Sequence, residues 1–179
     1  KITAIDEVGG EVNLSYLEEK LKYFENKESH NKHRGGLDGI SNPQKDSQKK
    51  IYKYVMYCIP TYSNPTGCTY SIETKTKLIE LARKYDMLII ADDVYDMLTF
   101  EEPLDQQPCP PKRLVHLDRE SNCDPESYGN TISNATFSKL IAPGLRFGYH
   151  ETINCKLAQQ LSNGGANVSG GTPSQLNSM

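Results

Sequence analysis

The chain reads as an α/β protein with a mostly parallel sheet and flanking helices, on three observations. A Tyr/Val/Ile-rich run at 51–59, a helical stripe opening at Ser71 and the uniformly apolar Met87–Ala91 follow one another directly. That strand–helix–strand order is a βαβ unit, whose crossover is right-handed. Thr131–Phe137 and Leu145–Tyr149 are further short strand-like runs that extend the sheet. Met87–Asp92 shows no polar alternation before its end, as expected of a strand covered on both faces.

From the amino terminus, residues 2–5 read as a short strand. Asn13 to Phe24 carries Leu14, Leu17, Leu21 and Phe24 three and four apart, one stripe of a helix. Residues 27–50 are polar and hold Gly35-Gly36, Gly39 and Asn42-Pro43, so a long exposed loop is expected. Pro60 to Gly67 is rich in turn formers. Ser71 then caps a helix with Ile72, Leu78, Leu81, Ala82 and Tyr85 on its inner face. Residues 101–130 form a second polar, proline-rich excursion holding one short strand at Arg113–Leu117. Thr152–Leu161 is an amphipathic helix, and Thr172-Pro173 bears the cap and first-turn signature of another.

Composition excludes several function classes. At 179 residues and 36% apolar content, the chain fits one domain with one core. Leu, Ile, Val and Phe make up only about a fifth of it, so that core is lean or draws apolar surface from elsewhere. A net charge of −3 argues against a nucleic-acid surface. The basic Lys45–Lys53 stretch, broken by Asp46 and Ser47, reads as a solvated junction. The longest apolar run, Met87–Ala91, is far shorter than the roughly 18 residues of a membrane helix. Five cysteines with no C-x-x-C spacing favour a reduced compartment over a disulfide framework. Cys68 reads as a small buried residue. His30 and His33 lack further ligands at metal-site spacing, so no metal is expected. Of the three N-x-S/T triplets, the one at Asn134 lies within an expected buried strand, which argues against glycosylation there.

The chemistry concentrates where strands end. In an open parallel sheet, ligands bind in the crevice beyond the strands' carboxyl ends. The run 51–59 leads to Asn64-Pro65, Met87–Ala91 leads to Asp92-Asp93-Val94-Tyr95, and Thr131–Phe137 carries Thr136 and leads to Ser138-Lys139, with Arg146 seven residues on. An anionic ligand with a ring and a carbonyl would use all of these groups. Arg146 and two hydroxyls suit a phosphate, a carboxylate suits a ring N–H⁺, and a lysine amine can form a Schiff base. That set of needs describes pyridoxal 5′-phosphate. Each residue also has a plainer role: Lys139 as a surface lysine, Asp92 as a turn cap, Tyr95 as a half-buried aromatic, Thr136 and Ser138 as strand hydroxyls, Asn64 as a turn former.

Residues 57–100 and the segment Ala135-Thr-Phe-Ser-Lys139-Leu-Ile-Ala-Pro-Gly-Leu-Arg146-Phe-Gly-Tyr149 resemble the class I/II aminotransferases of the fold-type I pyridoxal-phosphate enzymes. The Pro-Gly-Leu-Arg after the lysine is similar to the kynurenine/2-aminoadipate/aromatic aminotransferase subgroup. The resemblance implies that Lys139 forms the Schiff base and moves protons during transamination. It implies Asp92 on the pyridine nitrogen, Tyr95 and Asn64 on the phenolic oxygen, and Thr136, Ser138 and Arg146 on the phosphate. It also implies a cis peptide at Asn64–Pro65. Asp92 rather than Asp93 is chosen because the family's tyrosine follows its aspartate by three, which fits Tyr95. Strand alternation agrees, placing Leu88, Ile90 and Asp92 on one face.

By the same resemblance the chain is an incomplete large domain. The N-terminal phosphate-binding turn and the ring-stacking aromatic are expected before residue 1. The arginine for the substrate carboxylate is expected in a small domain beyond Met179, since no other arginine here sits at a strand end. The piece alone is therefore expected to be inactive. The whole protein is expected to be a cytoplasmic homodimer acting on amino acids and 2-oxo acids, with neither nucleic acid nor membrane as partner. Gly164–Thr172 either reaches the partner's cofactor or is a plain loop between helices. The alternatives are a non-catalytic cofactor-binding domain of a regulator and a pyridoxal-phosphate lyase.

Overall fold

A computed structural model describes residues 2–31, 49–99 and 109–164. Its elements are β1 (Glu7–Val8), β2 (Glu11–Val12), α1 (Leu14–Asn31), β3 (Tyr54–Cys58), α2 (Ile72–Lys84), β4 (Met87–Asp92), α3 (Leu114–Ser121), β5 (Thr131–Thr136), β6 (Gly148–Thr152) and α4 (Cys155–Ser162). The main sheet runs β3-β4-β5-β6. β3, β4 and β5 are mutually parallel, with Tyr57 opposite Ile90 and Asp92 opposite Asn134. β6 returns antiparallel, with Thr136 opposite Gly148. The mostly parallel α/β sheet is as the sequence predicts.

The two faces of this sheet differ. Met87, Ile89 and Ala91 point into the main core with Leu17 and Leu21 of α1, Leu78, Ile79 and Ala82 of α2, and Leu114 of α3. The opposite face holds a smaller cluster, Leu88, Ile132 and Leu157, with Ile90 and Leu161 partly buried beside it. On the β3 side that second face is open: Val55 and Tyr57 are 63% and 60% exposed. Alternation along β4 therefore puts Asp92 on the open face and Asp93 on the covered one, as expected.

α2 begins as the sequence predicts. The Ser71 hydroxyl accepts from the Thr74 N–H at 3.2 Å, and Glu11 accepts from the Thr74 hydroxyl at 2.7 Å. Its inner face is shifted, however. Thr74, Lys75, Leu78, Ile79 and Ala82 are buried, whereas Ile72 is exposed and Leu81 half-buried. On a 3.6-residue helix the five buried positions centre on one direction, and Ile72 stands about a quarter turn from it.

Further expectations change. The N-terminal strand lies at 7–12 as a hairpin, not at 2–5, because Gly9 and Gly10 (φ +63° and +82°) supply the primed turn that pairs β1 with β2. α1 continues through Asn31, so the helix takes the first five residues assigned to the 27–50 loop. Residues 32–48 of that loop lie outside the described residues, as do Gly165–Gly171 and Thr172-Pro173. Arg113–Leu117 is not a strand but the start of α3. Leu114, Val115 and Asp118 are fully buried on one helical stripe. The strand expected at Leu145–Tyr149 begins only at Gly148, because Pro143–Leu145 forms a turn of 3₁₀ helix first. Gly148 is required where pairing starts: a Cβ there would stand 2.7 Å from the Ala135 carbonyl oxygen. Finally, the helix expected at Thr152–Leu161 starts at Cys155, with Asn154 accepting from Lys156 N–H at 3.0 Å. All five cysteines are free, and Cys68 is half-buried rather than buried.

Candidate functional site

The carboxyl ends of β3, β4 and β5 open at the same edge of the sheet, since the three strands run parallel. Beyond β3, residues 60–70 are stitched into a tight loop. Ser63 N–H donates to the Cys68 carbonyl at 2.9 Å, Tyr70 N–H to the Pro60 carbonyl at 2.9 Å, and Tyr62 N–H to the Thr69 hydroxyl at 3.1 Å. The loop presents Asn64 exposed at its tip, and the Asn64–Pro65 peptide is cis. The Tyr62 hydroxyl donates to Thr99 at 3.2 Å, so this loop lies against the one after β4.

At the end of β4 the paired carboxylates have separate surroundings. Asp92 accepts from the Tyr57 hydroxyl at 2.7 Å and from the Asn134 amide at 3.1 Å. Asp93 is 1% exposed and accepts from the Ser133 hydroxyl at 2.6 Å. Burial pushes its carboxyl up from the ordinary aspartate range. Near it the buried Lys75 ammonium donates to the Lys112 carbonyl at 2.9 Å, and burial pulls that group down. Asp96 is held by Arg113 Nε at 2.6 Å inside the protein. The loop bearing Tyr95 is thus anchored on its covered side by Asp93 and Asp96, leaving Tyr95 half-buried.

At the end of β5, the Thr136 hydroxyl donates to the Phe147 carbonyl at 3.1 Å and accepts from Ser138 N–H at 3.1 Å. Its only proton is therefore used in closing the turn. Lys139 is exposed, with Nζ 5.8 Å from the centre of the Tyr95 ring. Arg146 has left-handed backbone (φ +50°), and its guanidinium donates to the Pro143 carbonyl at 3.3 Å. The structure thus brings Lys139 against Tyr95, three residues from Asp92. Arg146 turns back on its own loop, and Asn64 stands on a separate loop at the same sheet end. Sequence reasoning missed Tyr57 and Asn134. Both share the Asp92 face by alternation, but only the lateral register shows that they meet it. Among the described residues no group of three His, Cys, Asp or Glu could hold a metal ion.

A family model described as aminotransferase class I and II matches residues 18–178. The chain is 58% identical to the uncharacterized protein YER152C of Saccharomyces cerevisiae, over all of this chain and 40% of that protein. Among solved structures it resembles an archaeal alanine:glyoxylate aminotransferase, with a TM-score of 0.58 and 28% identity over 90% of this chain and 32% of that one. It also resembles the Pyrococcus horikoshii kynurenine aminotransferase solved with PMP, with a TM-score of 0.54 and 28% identity over 88% of this chain and 31% of that one. The chain therefore spans two fifths or less of the length of these relatives.

Proposed function

This chain belongs to the class I and II aminotransferases, and from that membership we propose that the whole protein exchanges an amino group between an amino acid and a 2-oxo acid. Pyridoxal 5′-phosphate is the cofactor proposed, and when bound it supplies an aldehyde carbon and an electron-accepting ring. The observation that carries this reading is the Lys139 ammonium 5.8 Å from the Tyr95 ring, at the sheet end where β4 delivers Asp92. The donor set fits the cofactor: an amine for the aldehyde, a carboxylate for a protonated ring nitrogen, and a guanidinium with a hydroxyl for the phosphate.

In this reading Asp92 holds the ring nitrogen in its protonated form, and Tyr95 and Asn64 donate to the phenolic oxygen. Ser138 and Arg146 bind the phosphate directly, while Thr136 closes the turn that presents them. Lys139 would hold the aldehyde carbon and would move a proton to and from the substrate α-carbon. A homodimer is the proposed assembly, on family likeness, and the cytoplasm the proposed setting, on five cysteines without paired spacing.

Reduction of the whole protein with borohydride tests the role of Lys139. The wild type should retain cofactor covalently and lose its visible band, whereas Lys139→Ala should show no reducible band. A reducible band in that variant places the reactive amine elsewhere. Incubation with amino acids and 2-oxoglutarate should yield keto-acid exchange; ammonia and pyruvate release would instead indicate elimination.

A further inference from the structure

We propose that Tyr57 and Asn134 are positioning residues that clamp the Asp92 carboxylate from both neighbouring strands, presenting it in one fixed orientation to a cationic ring nitrogen. The inference rests on the reading of Asp92 given above. β4 lies between β3 and β5, and each flanking strand sends one donor to a different oxygen: Tyr57 Oη to Oδ2 at 2.7 Å, Asn134 Nδ2 to Oδ1 at 3.1 Å. Asn134 stands directly opposite Asp92 in the parallel register. Tyr57 stands opposite Ile90, one pleat back, and its longer side chain reaches forward to the same carboxylate.

A carboxylate held at one oxygen can turn about its Cβ–Cγ bond, whereas one held at both cannot turn without losing a bond. A carboxylate has about four lone-pair sites, so two bonds leave room for a ring N–H⁺. The two clamping donors are neutral, so they orient the carboxylate without neutralising the charge that an incoming cation would meet. Partial burial, reinforced by the Asp92 contact, pushes the Tyr57 hydroxyl up to about 12, so it remains a donor across neutral pH. Tyr57 is otherwise an exposed aromatic on the open face of the sheet, where a tether of this kind gives its hydroxyl a definite place.

The test compares Tyr57→Phe, Asn134→Ala and Asp92→Ala in the whole protein reconstituted with pyridoxal 5′-phosphate carrying an isotope-labelled ring nitrogen. The readouts are the magnetic-resonance shift of that nitrogen against pH and the dissociation constant of the cofactor. Tyr57→Phe keeps the ring and so keeps the strand packing. It should lower the pH at which the ring nitrogen loses its proton and weaken cofactor binding about tenfold. Asn134→Ala should act in the same direction, and Asp92→Ala should exceed both. A response to Asp92→Ala with none to Tyr57→Phe overturns the clamp and leaves the role of Asp92 standing. No response to Asp92→Ala overturns both.

Discussion

At Arg146 two roles compete: closing its own loop and binding an anion. Its guanidinium donates to the neutral Pro143 carbonyl at 3.3 Å, and the side chain is exposed. A phosphate offers the guanidinium an opposite charge and two parallel bonds, against a single bond to a neutral carbonyl, so a phosphate at the sheet end should capture the group. Arg146→Ala in the whole protein should therefore weaken pyridoxal 5′-phosphate binding by about tenfold or more, and leave phosphate-free pyridoxal nearly unchanged. Equilibrium dialysis with both compounds checks this, and equal losses would remove Arg146 from the phosphate. The adjacent carboxylates show how much a single residue's sequence context reveals. Period-two alternation separates Asp92 from Asp93 correctly, and the structure places Asp93 on Ser133 in the covered face. Alternation could not show that the Thr136 hydroxyl is used by Phe147, because that bond depends on where β6 returns.

Among the elements, α3 departs most from expectation. The Arg113–Leu117 run reads as a short strand because it is a brief apolar run between polar stretches and Val115 is β-branched. What makes it helical is a set of partners remote in sequence. Asp118, fully buried, accepts from Asn130 N–H at 2.8 Å, from the Thr131 hydroxyl at 2.9 Å and from Arg83 Nη2 at 2.7 Å. These bonds tie α3 to the start of β5 and to the last turn of α2. Asp118→Ala removes them together and leaves the buried Thr131 hydroxyl without its acceptor, a loss on the order of 3 kcal/mol. Urea unfolding of wild type and variant measures this, and a loss below about 0.5 kcal/mol, the range of an ordinary surface change, would show that α3 is held by apolar packing alone. α2 and β4 were legible because their signals are local: a capping serine, a 3.6-residue stripe and an uninterrupted apolar run.

On the scale of the whole molecule, the sheet has one covered face and one partly open face. Ile89 is fully buried under the helices, while Val55 lies 63% exposed on the other side. Ile89→Ala should cost about 2–5 kcal/mol, combining lost transfer energy with the cavity left behind. Val55→Ala in this chain should stay within about 0.5 kcal/mol. Denaturant midpoints of both variants test the asymmetry, and similar losses would mean that the β3 side is covered after all. The lean apolar composition has its counterpart here. A single helix, α4, packs Leu157 against the second face, and Val55 and Tyr57 are left without cover among the described residues.

By itself the sequence determined the α/β class, the order of the main strands and helices, the polar residues that stand at the strand ends, and the face on which Asp92 lies. Each of these follows from spacing within a few residues, which backbone geometry converts directly into direction. Only the tertiary structure decided that α3 is a helix, where β6 begins, and which side chains grip Asp92. The first depends on the partners of Asp118, and the other two on lateral register between strands: Tyr57 and Asn134 reach that carboxylate from 35 and 42 residues away. A slip of one residue in either strand would turn its side chain to the opposite face.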